Sequence, residues 1–251
     1  MFTSTEELKL SYGIDTEIGK FFVDRKVPQN NLYWRDRLLY INPMPGYLFI
    51  PLYADIEFRL GIPKFRLLHE EYILFMENIL HSIAKQEFQS LSLEQHIEEC
   101  VNITRPVCRN PLLLQQLQRY FEGEHEIGSI PFGMPYKALN RVDSYLFTLC
   151  YFEFDDNIKR KLIDAWHALM AFYLITDDLN DIRDDIEANE DNTIAEAGLS
   201  DEGANAVEKI MYESYLTMNA VNPVFANRMD YSRQQINVKE IIDEYLSGRA
   251  N

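Results

Sequence analysis

Apolar positions recur at helical spacing along most of the chain. Between residues 65 and 89, Leu68, Tyr72, Phe75, Met76, Ile79, Leu80 and Ile83 fall on one broad face. Shorter patterns of the same period predict helices over 46–60, 92–103, 110–121, 136–154, 201–219 and 238–247. The longest pattern covers 157–188 and contains neither glycine nor proline. At 100° per residue, Ile158, Leu162, Ile163, Trp166, Leu169, Met170, Tyr173 and Leu174 span about 160° of that helix. Around Phe172 to Ile175 it is apolar all round, which predicts a central, buried element. Beyond Ile175 the pattern divides. One stripe, Ile175, Leu179, Ile182 and Ile186, suits packing on a neighbour; another, Asp177, Asp181 and Asp185, is acidic and continues the direction of Ile163, Met170 and Leu174.

Start and stop signals support these assignments. Ser4-Thr5-Glu6-Glu7 and Ser92-Leu93-Glu94-Gln95 both fit a capping box. Asp156 suits the N-cap of a helix beginning at Asn157, and Pro63 precedes the long segment 65–89. Glycines and prolines in 122–135 read as a loop, as does 24–31 around Pro28. Tyr47-Leu48-Phe49-Ile50 could form a strand, but one strand cannot make a sheet. No repeat and no low-complexity linker interrupts the 251 residues. The economical reading is one all-α domain over 1–251.

Composition narrows the function classes. A chain that is 47% hydrophobic can fill a sizeable core. Its net charge of −16 argues against a nucleic-acid partner and against electrostatic docking on anionic lipid. The N-terminal MFTSTEELKLSYG lacks the basic and apolar regions of a signal peptide, and no stretch has the roughly 18 uninterrupted apolar residues of a membrane span. Cys100, Cys108 and Cys150 are odd in number and widely spaced, which predicts free thiols and a cytoplasmic, reducing setting.

The acidic end of the long helix is the main candidate for chemistry. Asp177, Asp178, Asp181, Asp184 and Asp185 crowd into nine residues. Like charges at i, i+4 and near a helix C-terminus cost a few tenths of a kcal/mol each. A divalent cation such as Mg²⁺ would remove that cost, because hard carboxylate oxygens suit it. A helix end turned to solvent explains the run equally well, since charge runs are usually solvated.

The stretch MAFYLITDDLNDI, residues 170–182, resembles the second aspartate-rich motif of trans-isoprenyl diphosphate synthases, through Asp177-Asp178-x-x-Asp181. It also resembles the corresponding motif of squalene and phytoene synthases, through Asp181-x-x-x-Asp185. The preceding YKALNRVDSYLFTLCYF, residues 136–152, is similar to the segment that carries the family's diphosphate-binding lysine, which puts Lys137 or Arg141 at that position. The resemblance to this class I isoprenoid synthase superfamily covers about residues 136–200. It implies an α bundle around a central apolar cavity, with Asp177, Asp178, Asp181 and Asp185 as Mg²⁺ ligands and Lys137 and Arg141 on the diphosphate. The implied activity is Mg²⁺-dependent binding, and ionisation or transfer, of a prenyl diphosphate; a homodimer is implied as well. In such chemistry the metal ions stabilise the leaving diphosphate.

The sequence departs from the family at telling places. Leu174 stands where the family has glutamine, and no first DDxxD precedes the second. The nearest substitutes are His69-Glu70-Glu71 and Asp55-Ile56-Glu57. The alternative function is therefore a non-catalytic helical binding or partner protein that keeps the fold. Other chemistries have less behind them. Glu122-x-x-His125 matches a di-iron pair only in a glycine-rich loop, and Arg228 and Arg233 flank Tyr231 without a motif.

Overall fold

The helical periodicity is realised in a computed structural model that describes residues 4–35, 39–40, 48–124 and 132–248. Among the described residues the fold is all-α, and the sole β pairing is an isolated bridge between Lys26 and Leu39. The described residues form thirteen α-helices: α1 (Thr5–Tyr12), α2 (Thr16–Asp24), α3 (Phe49–Arg59), α4 (Lys64–Leu67), α5 (Glu70–Glu87), α6 (Leu93–Thr104), α7 (Pro111–Phe121), α8 (Asp156–Asn180), α9 (Ile182–Ala188), α10 (Thr193–Ala197), α11 (Asp201–Asn219), α12 (Pro223–Gln235) and α13 (Val238–Leu246). Short 3-10 helices occupy Leu32–Trp34, Arg105–Val107, Lys137–Asn140 and Asp143–Tyr151. No described helix is long and apolar enough to cross a membrane.

The chain divides into two compact units. The first comprises Met1–Lys9, Ile14–Phe132 and Val142–Ile163; the second comprises Leu10–Gly13, Gly133–Arg141 and Asp164–Asn251. The division falls inside α8, between Ile163 and Asp164.

In the first unit, α5 packs against α6 and against the 3-10 helix at 143–151, which also meets α6 and α7. All nine residues of that 3-10 helix are buried. The expected α-helix over 136–154 is thus replaced by two 3-10 segments. A 3-10 rise of about 2.0 Å per residue lets a short buried stretch span farther than an α-helix would. Aromatic rings fill this unit. Tyr72 lies 4.7 Å from Phe152, Phe121 stacks on Phe147 at 5.7 Å, and Tyr40 sits between Phe22 and Trp34.

In the second unit the core follows the spacing in the sequence. Ala171, Ile175, Leu179 and Ile182 pack with Ile194, with Ala204, Val207 and Met211 of α11, and with Val238 and Ile242 of α13. The stripe Ile175, Leu179 and Ile182 is therefore the packing face, with Ile186 partly buried beside it. Burial all round the helix falls at Ala165 to Ala171, about a turn earlier than the apolar run suggested. One close approach fixes the path between α10 and α11. A Cβ on Gly203 would lie 1.8 Å from the Gly198 carbonyl oxygen, so only glycine fits there.

Several boundaries differ from the periodicity, each for a local reason. The segment 65–89 breaks at Leu68–His69, where Pro63 caps the short α4 and a new helix starts at Glu70. The cap of α8 is Asp155, whose Oδ1 accepts from the Ile158 amide at 2.8 Å; Asp156 instead pairs with Lys159 at 2.7 Å. The long acidic helix breaks at Asp181, which has φ −107° and ψ 13°. Ser92 and Gln95 make both bonds of the expected capping box, and Ser4 accepts from the Glu7 amide at 3.1 Å. Phe49 and Ile50 are helical rather than extended, and Tyr47 lies outside the described residues. Most of the expected 122–135 loop, including His125, lies outside them too.

Candidate functional site

The four aspartates of the expected metal set, Asp177, Asp178, Asp181 and Asp185, all belong to the second unit, at the end of α8 and the start of α9. Asp177 and Asp178 occupy the last turn of α8, Asp181 caps α9, and Asp185 lies in its first turn. One helical step separates Asp177 from Asp178, and that step decides their fates. The Asp177 side chain is 66% exposed, whereas that of Asp178 is 1% exposed.

Asp178 is held at both oxygens. Arg141 Nη1 donates to Oδ1 at 2.8 Å, and the Thr193 amide, the first of α10, donates to Oδ2 at 2.8 Å. The second guanidinium nitrogen of Arg141 reaches Asp177 Oδ2 at 3.3 Å, and Nη1 also meets the Ala138 carbonyl at 3.3 Å. Arg141 directly follows the 3-10 helix Lys137–Asn140, so its position is set by backbone as well as charge.

Asn192 joins the same elements from the other side. Its Nδ2 donates at 2.8 Å both to the Asp178 carbonyl and to Asp185 Oδ2. Its Oδ1 accepts from the Ile194 amide at 2.9 Å and the Ala195 amide at 3.2 Å, capping α10. Glu196 of α10 accepts from the Ala138 amide at 3.2 Å. Lys137 is exposed and pairs with Asp191 at 2.8 Å, which raises its pKa. Asp181 is exposed, and Asp185 is half-buried.

The carboxyl of Asp177 is pushed above the usual range. Desolvation is the main cause; Arg141 opposes it, while Asp181, Asp178 and Asp185 add like-charge repulsion. Asp177 therefore senses the other three aspartates of the expected metal set. Among the described residues, no group of three or more His, Cys, Asp or Glu side chains is arranged to hold a metal ion. Asn192, Glu196 and Asp191 are the participants missed in the sequence. An asparagine ahead of Thr193-Ile194-Ala195-Glu196 is a recognisable N-cap signal.

The substitutes for a first aspartate-rich motif lie in the first unit, and each has a partner. Asp55 accepts from Arg59 Nε at 2.5 Å and from the Asp15 amide at 2.7 Å. Burial raises its pKa against the pull of Arg59. Glu70 takes both nitrogens of a fork from Arg25, at 2.9 and 3.1 Å, and its pKa is lowered by them. Glu71 accepts from the Tyr151 hydroxyl at 2.6 Å. Glu57 is buried, and both of its oxygens lie 3.3 Å from the Tyr72 hydroxyl. Desolvation pushes its pKa up to about 8. Arg228 covers the Tyr12 ring at 4.6 Å, and Arg233 bonds Asp230 at 2.6 Å and covers Tyr212 at 5.2 Å.

No protein-family model matches the chain, and no curated protein or solved structure matches it.

Proposed function

We propose that this chain is a non-catalytic helical binding or partner protein whose aspartate-rich segment is a structural joint. The observation that carries this reading is the saturation of Asp178. Its buried carboxylate spends one oxygen on Arg141 and the other on the Thr193 amide. An inner-sphere Mg²⁺ ligand needs a lone pair directed at open space, and taking this one would unseat both the arginine and the start of α10. Asp55, Glu70 and Glu71 are likewise engaged by arginine, amide or phenol donors, which suits load on the fold better than a second metal cluster. The net charge of −16 favours a partner with a basic face, and association of that kind weakens as salt rises.

A second reading keeps the Mg²⁺-dependent binding of a prenyl diphosphate. It is favoured by the raised pKa of Asp177 and its repulsion from Asp181, Asp178 and Asp185, which a cation would relieve. In that reading Asp177, Asp181 and Asp185 would hold Mg²⁺, and Lys137 and Arg141 would leave their carboxylates for the diphosphate.

Calorimetric titration with Mg²⁺, with and without farnesyl diphosphate, separates the two. The structural-joint reading expects no diphosphate-dependent Mg²⁺ binding. Saturable Mg²⁺ binding that requires the diphosphate and disappears in Asp177→Asn would sink it and establish the second.

A further inference from the structure

Away from the acidic segment, two of the three cysteines are brought together inside the first unit. Cys108 directly follows the 3-10 helix Arg105–Val107 in extended backbone. Cys150 lies near the end of the buried 3-10 helix 143–151. The chain on either side is pinned. The Arg109 and Asn110 amides both donate to the Cys150 carbonyl, at 2.8 and 3.2 Å. Arg109 lies over the Tyr151 ring at 5.3 Å, and Asn110 caps α7 through the Leu113 amide. These bonds set Cys108, the residue before Arg109, beside the Cys150 segment.

Their surroundings differ in a useful way. Cys108 is partly exposed; Cys150 is buried. The Cys150 S–H, joined by the Asn110 amide, lowers the pKa of Cys108 to about 6. Burial, followed by the contact with Cys108, holds the Cys150 thiol well above its ordinary value. Cys108 is thus the accessible thiolate and Cys150 the protonated neighbour. Cys100 is buried beside His96, and burial raises its pKa to about 12.

We propose that Cys108 and Cys150 form a peroxide-responsive dithiol, in which Cys108 reacts first and Cys150 resolves it to an intrachain disulfide. The Cys108 thiolate attacks one oxygen of the peroxide, forming an S–O bond as the O–O bond breaks. A proton converts the departing hydroxide to water and leaves a sulfenic acid. Cys150 sulfur then attacks the Cys108 sulfur. The S–O bond breaks, the Cys150 proton leaves with the hydroxide as a second water, and both sulfurs are oxidised together by the one peroxide. The bonds from the Arg109 and Asn110 amides to the Cys150 carbonyl hold the two chain segments together for this exchange.

The test uses the reduced, full-length chain exposed to equimolar hydrogen peroxide and mapped by mass spectrometry without reductant. The expected product is a single cross-linked peptide joining Cys108 to Cys150, lighter by two hydrogens and restored by a dithiol reductant. Cys150→Ser should accumulate sulfenic acid at Cys108, giving about tenfold more cyclic-diketone label than the unaltered chain. Oxidised Cys108 without the cross-link, cross-links through Cys100, or oxidation of Cys108 no faster than that of Cys100 would each overturn the proposal. The mapping of the unaltered chain decides the matter even if the serine variant does not fold.

Discussion

Two buried carboxylates, one in each unit, show opposite ways of keeping an acid out of water. Asp178 in the second unit has an arginine on one oxygen and a backbone amide on the other. Glu57 in the first has the Tyr72 hydroxyl on both oxygens, and its pKa rises to about 8. Burying a charge is costly unless it is paired and hydrogen-bonded. Asp178 meets both conditions and ties separate stretches of chain together. Glu57 has a neutral donor and takes up a proton instead. A buried acid in a sequence is thus no sign of a metal site; what matters is which donors the tertiary structure sends to it.

The contrast can be broken most severely at Asp178. Asp178→Ala removes the closer carboxylate of Arg141 and orphans the Thr193 amide, so the unfolding free energy should fall by about 4 kcal/mol. Chemical denaturation would register this as a lower midpoint; an unchanged midpoint would refute the joint.

Glu57→Gln should do the reverse in alkaline solution. The folded pKa of about 8 exceeds the ordinary 4.5, so the folded state binds the extra proton. The associated stability is full below pH 4.5 and is lost as pH rises toward 8. Glutamine keeps the shape and a bond to Tyr72 without titrating. It should leave stability near pH 4 almost unchanged and raise it at pH 8 by about 4 kcal/mol. Parallel pH profiles for the two proteins would contradict the protonated state of Glu57.

Arg141→Met moves Asp178 part of the way toward the situation of Glu57, leaving the amide but no cation. A loss of about 2 kcal/mol is expected, and a double-mutant cycle with Asp178→Ala should show strong coupling. Additive effects would mean that the ion pair contributes little. Asp177→Asn supplies the lower bound. Its side chain is mostly exposed, so thermal melting should report a change within about 0.5 kcal/mol. A larger loss would show that the exposed aspartate also bears structure.

The sequence conveyed fold class and most helices through spacing alone. The expected helix at 201–219 is α11, and the Ser92 capping box forms as read. The α2, α10 and α12 segments were not anticipated. In α12 the charged and amide residues blur the period, although Asn222 ahead of Pro223 is a good start signal. At the acidic segment, residue type and position were legible, whereas the pairing of Arg141 with Asp178 was not. Periodicity grouped Asp177, Asp181 and Asp185, but Asp178 is the buried one. That outcome depends on where α10 begins, which no local pattern records. Phase errors of one residue turn a side chain by 100°, enough to exchange a solvated carboxylate for a buried one.

The Asn192 side chain has a consequence for motion. It is 1% exposed and bonds the ends of α8, α9 and α10 at once. Short helices ordinarily fray from their ends, so α9 and α10 would each be expected to trade amide hydrogens with solvent quickly and independently. Shared through one amide group, their openings are coupled. The Thr193, Ile194 and Ala195 amides should exchange as a set, at the rate at which the whole joint opens, so that five residues of helix inherit the protection of a much longer element.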